Sequence, residues 1–137
     1  MPPKFVIGYT DTETVKLDFD HTSFKEVKYW ALKTLQWFKL GGCLILKSSE
    51  NSYHAVFDRT VTWAENMRIV AWVSLLSNNR MLEKWFVMQC IKKGSTLRIS
   101  PKKDKTNPRI VYRYREQDNE IKNYLDCRKT IKKMLRN

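Results

Sequence analysis

The chain has 137 residues, 42% hydrophobic and 12% aromatic, enough for one folded domain spanning 1–137 and too few for two independent cores. A net charge of +12 and a pI near 9.8 select polyanions as partners, nucleic acid or nucleotides before anything acidic and small. No apolar run approaches the roughly 20 residues of a membrane helix, the opening Met-Pro-Pro-Lys-Phe-Val-Ile-Gly lacks a signal-peptide core, and Cys43, Cys90 and Cys127 form no Cys-x-x-Cys pair. The expectation is a cytoplasmic protein with reduced thiols and no membrane attachment.

Lys4 to Tyr9 reads as a short strand, closed by the polar Thr10-Asp11-Thr12-Glu13 turn. Val15 to Asp20 alternates, so Val15, Leu17 and Phe19 point one way while Lys16, Asp18 and Asp20 point the other. Ser23-Phe24-Lys25-Glu26 is a capping box. The apolar spacing of Phe24, Val27, Ala31, Leu35 and Phe38 then predicts a helix up to Gly41-Gly42, with Trp30 and Trp37 widening its buried face.

Cys43 to Lys47 and Ser52 to Phe57 read as a hairpin joined through Ser48-Ser49-Glu50-Asn51. Tyr53, Ala55 and Phe57 share one face of its second strand, and Ser52, His54 and Val56 the other. Thr62-Trp63-Ala64-Glu65 is a second capping box, opening a helix that carries Met67, Val70, Ala71 and Leu75. Ser77-Asn78-Asn79 interrupts it, and a further helical piece runs from about Arg80 to Lys93, closed by Gly94. Thr96 to Ser100 alternates again, with Leu97 and Ile99 inward and Thr96, Arg98 and Ser100 outward. Pro101 to Pro108 is a lysine-rich loop, Arg109 to Arg115 a strand, and the tail from about Asn119 a basic amphipathic helix with Ile121, Tyr124, Leu125, Ile131 and Leu135. Nine basic residues between Lys92 and Arg115 face one acid, Asp104.

This order predicts an α+β fold: an RRM-like, mainly antiparallel sheet with helices packed on one face. The opposite face would then collect Asp18, Asp20, Ser52, His54, Thr96, Arg98 and Ser100. Two adjacent carboxylates repel unless a positive partner sits between them. Mg²⁺ or Mn²⁺ is one such partner, since hard oxygen ligands on a shared pair of acids also let the ion grip a phosphate chain. Arg98, paired with Asp18 or Asp20 across the sheet, is the other. In the metal reading Arg98 with Lys102 or Lys103 holds phosphate, and His54 holds the nucleotide or orients a hydroxyl.

Leu17-Asp18-Phe19-Asp20 resembles the hydrophobic-Asp-hydrophobic-Asp motif of the archaeo-eukaryotic primase-polymerases, and Ser52-Tyr53-His54 resembles their Ser-x-His motif. Thr96-Leu97-Arg98-Ile99-Ser100-Pro101-Lys102-Lys103 is similar to the Leu-Arg…Lys segment of plasmid and virus members. The resemblance implies an RRM-like core, catalytic metal on Asp18 and Asp20, contact of Ser52 and His54 with the incoming nucleotide, and phosphate contact by Arg98, Lys102 and Lys103. It also implies a DNA or RNA template, nucleoside triphosphates and other replication proteins as partners, in a plasmid or viral setting and so in the host cytoplasm if viral. The family's third acid has no counterpart: Phe86-Val87-Met88-Gln89-Cys90-Ile91 stands in its place, and Asp58 lies four residues from His54, roughly 13 Å along a strand. Two functions follow: a minimal primase-polymerase that transfers nucleotides, or a non-catalytic RRM-like subunit that binds nucleic acid or nucleotides. A rolling-circle initiator would need a paired-histidine motif that His21 and His54 do not supply.

Overall fold

The computed structural model describes residues 7–100, 107–115 and 120–135. The chain runs β1 (Gly8–Asp11), β2 (Thr14–Phe19), α1 (Phe24–Phe38), β3 (Cys43–Ser49), β4 (Ser52–Thr60), α2 (Trp63–Leu76), α3 (Arg80–Lys92), β5 (Ser95–Arg98), β6 (Arg109–Tyr114) and α4 (Glu120–Leu135). It is an α+β fold whose strands all pair antiparallel: a four-stranded sheet in the order β2-β4-β3-β6 and a two-stranded ribbon, β1-β5.

The segment β2-α1-β3-β4, with β4 lying between β2 and β3, is a split β-α-β unit. The helices begin where capping chemistry dictates. Ser23 accepts from the Glu26 amide, Thr62 and Glu65 make both bonds of a capping box, and Asn79 accepts from the Leu82 amide. Lys39 and Lys93 end α1 and α3 in left-handed backbone, at φ 54° and 60°. Gly42 must be glycine, because a Cβ there would run into the carbonyls of Tyr114 and Arg115 where β6 docks on β3.

Alternation splits the sheet into two apolar faces. Leu17, Phe19, Cys43, Ile45, Ala55 and Phe57 pack against α1, α2 and α3, with Val27, Ala31, Leu35, Val70, Val73 and Leu82. That is the expected helix layer. The opposite face is also covered: Leu44, Leu46 and Val56 meet Leu97 and Ile99 from β5 and Ile121 and Tyr124 from α4. The ribbon and the last helix therefore lie where the sequence suggested an open surface. Asp58, buried, accepts from the Ile121 amide and caps α4 from below, while Glu120 accepts hydroxyl hydrogen bonds from Thr14 and Thr60 at 2.7 Å each.

Several boundaries differ from expectation. β1 reaches Asp11, inside the anticipated turn, and Lys4 to Val6 lie outside the described residues. Phe86 to Ile91 belongs to α3, so the stretch standing where the family's third acid would be is helical. Trp37 and Leu75 are on the surface; the Trp37 ring, 71% exposed, lies over Trp72 at 6.1 Å instead of entering the core. α1 is amphipathic enough to bury its Val27–Ala31–Leu35 stripe without that indole.

Candidate functional site

The register of β2 on β4 places Asp18 directly opposite His54. Directly opposed residues share a face, and the Asp18 Oδ1 lies 3.6 Å from the His54 Nε2, within electrostatic reach though longer than a hydrogen bond. His54 is 3% exposed and the Asp18 side chain 23%. The third member arrives from β5. The Arg98 guanidinium donates to the Ser100 carbonyl and, at 3.0 Å, to the Ser48 carbonyl, which fixes it over the end of the β3–β4 hairpin. Burial lowers the Arg98 pKa, and the nearby Asp18 charge opposes that shift. Ser52, paired with Ser49, is buried beside them at the hairpin end. Thus Asp18, Ser52, His54 and Arg98 do come together, closed in beneath β5.

Other residues expected on this face are placed differently among the described residues. Asp20 is not in the strand: β2 ends at Phe19 and His21 turns the chain with φ 52°, while the Thr22 amide donates to the Asn51 carbonyl at 2.8 Å. Asp20 instead lines a depression with His21, Glu26, Trp30, Asn79 and Arg80, between the start of α1 and the α2–α3 junction. Lys16, on the same face as Asp18 by alternation, is fully buried, its Nζ donating to Asp11 at 2.6 Å and to the carbonyl and hydroxyl of Ser95 at 3.1 Å each. Lys102 and Lys103 lie outside the described residues. Thr96 hydrogen-bonds Thr10 across the ribbon, and Ser100 is buried where the Ile7 amide donates to its hydroxyl.

Lys16 and Asp11 form a buried ion pair that locks the ribbon to β2. Burial raises the Asp11 carboxyl, but hydrogen bonds from Lys16 and Thr14, together with the Lys16 charge, outweigh it and hold Asp11 below its usual range. Burial lowers the Lys16 ammonium, with Asp11 and Glu120 opposing. Tyr9 is pushed up to about 12 by burial and by the charges of Asp11 and Glu120, and its ring meets that of Tyr124 edge-on at 5.4 Å. Tyr124, wholly buried, is raised by the same loss of solvent.

The Asp18 carboxylate is met by the charge of the Arg98 guanidinium, and Asp20 lines another depression. Among the described residues no three His, Cys, Asp or Glu side chains converge on a point that one ion could occupy.

A second constellation escaped the motif reading. Between β6 and α4 a groove of about 500 Å³ is lined by Ile110, Leu125 and five cations, Arg113, Arg128, Lys129, Lys132 and Lys133, with no acid among the described lining residues. Positions 125, 128, 129, 132 and 133 follow the helical i, i+3, i+4, i+7, i+8 spacing, so the sequence did carry the signal for one α4 face. The strand half was hidden. A bulge shifts the register of β6 on β3 between Ile45 and Leu46, so that Leu46 opposes Ile110 and Leu44 opposes Arg113. Both therefore share the α4 side although they stand three positions apart, an offset that places residues of a regular strand on opposite faces.

Compared with protein-family models, with curated proteins and with solved structures, the chain matches none of them.

Proposed function

We propose that the chain is a nucleic-acid-binding domain of a replication apparatus, built on the strand plan of the primase-polymerases it resembles and acting as a non-catalytic binding subunit. The observation that carries this reading is the meeting of Asp18, His54 and Arg98, drawn from three separate motifs, in a cluster where the Arg98 charge answers that of Asp18. Such a cluster stabilises the junction of β2, β4 and β5 and leaves the work of binding to the basic surface. With a net charge of +12, that surface attracts a DNA or RNA strand by releasing its condensed counterions. The setting is the cytoplasm, the host's if the chain is viral, alongside other replication proteins. No helix among the described residues is long and apolar enough to cross a membrane.

The direct opposition of Asp18 and His54 also favours a second reading, metal-dependent nucleotidyl transfer. In it Asp18 and Asp20 would carry Mg²⁺ or Mn²⁺, Ser52 and His54 would contact the incoming nucleoside triphosphate, and Arg98, Lys102 and Lys103 its phosphates. That role needs the β5 end to lift, since His54 is closed to solvent, and Asp20 to leave its depression for the side of Asp18.

One experiment separates the two: incubation with a primed template, Mn²⁺ or Mg²⁺ and labelled nucleotides, alongside binding of the same strand at increasing salt. Salt-sensitive binding without incorporation supports the binding subunit. Incorporation that disappears in Asp18→Ala would replace it with the enzyme, and salt-independent binding would remove the electrostatic basis of the proposal.

A further inference from the structure

We infer that the groove between β6 and α4 is the seat of a single nucleic-acid strand, its phosphates held by Arg113, Arg128, Lys129, Lys132 and Lys133 and its sugar or base edges resting on Ile110 and Leu125. This deepens the binding reading above and depends on it. The choice of occupant follows from charge and shape. The four α4 cations, with no acid among the described lining residues, make a field that a polyanion satisfies along its whole length. From Leu125 to Lys133 the α4 face spans about 12 Å at the helical rise, so its charges form a line and not a point, as a phosphate chain does. Arg113 and Arg128 add planar forks suited to phosphate oxygens.

The groove is built and not incidental. The β6 bulge brings Ile110 and Arg113 to the same side, and the Arg128 guanidinium donates to the Pro108 carbonyl at 2.9 Å, which ties the α4 face to the start of β6. At its other end α4 is anchored by Asp58, Thr14 and Thr60. The apolar strip between the cations provides contact for the non-ionic parts of a strand, which a binder of simple anions would not need.

For single strands the logarithm of affinity falls against the logarithm of salt with a slope of about 0.7 for each phosphate neutralised, so two lost contacts reduce the slope by about 1.4. At 0.1 M salt the same relation makes them worth about 25-fold in affinity. The test uses the full chain with Lys129→Gln and Lys133→Gln combined, both positions solvent-exposed. It is set against Lys25→Gln with Lys33→Gln, an equal loss of charge on exposed positions of α1. Fluorescence anisotropy of a labelled single-stranded oligonucleotide is followed across salt concentrations, with thermal melts of both proteins alongside.

The groove variant should lose about 25-fold in affinity and about 1.4 in slope with an unchanged melt, while the α1 variant keeps most of its binding. Equal losses in both variants would show that net charge and not this groove holds the strand, and would overturn the inference while leaving the binding function intact. Failure of the unmodified protein to bind the oligonucleotide would remove the proposed function itself. Binding to phosphatidylserine vesicles in place of the oligonucleotide, lost in the groove variant, would reassign α4 to a membrane surface and overturn the inference too.

Discussion

Asp11→Asn would leave the fully buried Lys16 ammonium with neutral acceptors alone, the new amide oxygen and the carbonyl and hydroxyl of Ser95, and no carboxylate at hydrogen-bond distance. Removing one partner of a buried ion pair costs about 3–5 kcal/mol. The Asp11 side chain is 24% exposed, which weakens the original attraction and puts the expected loss near the lower end, about 3 kcal/mol. For a chain of this length that is a fall in melting temperature of about 10 °C. Lys16→Met is expected to cost less, because Asp11 keeps its bonds from Thr14 and some solvent. The combination of Asp11→Asn and Lys16→Met should be more stable than Asp11→Asn alone, since the stranded charge has gone. Urea denaturation of the four proteins closes the cycle. The pH dependence provides an independent check. A folded carboxyl held below its ordinary value contributes stability that is complete above about pH 4 and disappears as pH falls through the folded value. Lys16, lowered in the fold, makes stability rise with pH between its folded value and about 10.4, because in that window the unfolded chain binds more protons. Asp11→Asn should flatten the acid limb. An Asp11→Asn protein that loses under about 1 kcal/mol, or single changes that simply add, would refute the idea that this pair clamps the β1-β5 ribbon onto β2.

Asp58→Ala removes the acceptor of the buried Ile121 amide and should cost about 1–3 kcal/mol in urea denaturation, with Asp58→Asn milder because its amide oxygen still accepts. Gly42→Ala would force β6 away from β3 and cost about 1–3 kcal/mol, read as faster hydrogen exchange at the amides that link Cys43 with Tyr114 and Leu44 with Arg113.

Local rules located α1, α2 and α3 because each start rests on a side-chain cap a few residues from the first apolar turn. The meeting of Asp18 with His54 was legible for a comparable reason. Period-two alternation on adjacent strands decides which side chains share a face, and the opposition of these two residues satisfies it. What sequence pattern could not supply was the roof. Lys16 obeys the alternation and still ends up dry, because whether a strand face is open depends on β5 and α4, elements 79 or more positions away along the chain. Asp20 fails differently: the strand stops one residue early, at a turn set by His21 and the tie between Thr22 and Asn51. The groove cations on α4 were readable as a helical stripe, but their strand partner Arg113 was not, since a bulge reverses parity and leaves no mark in composition.

Among the described residues β6 is an edge strand of its sheet and carries Arg109 and Arg113, with Arg115 just beyond its end. A terminal strand offers open backbone valence to any other chain in extended form, and like charges along it are a common guard against such sticking. Here the guard and the proposed ligand share Arg113, so a polyanion seated in the groove would weaken the repulsion between two such edges and link occupancy to the sheet's resistance to sticking.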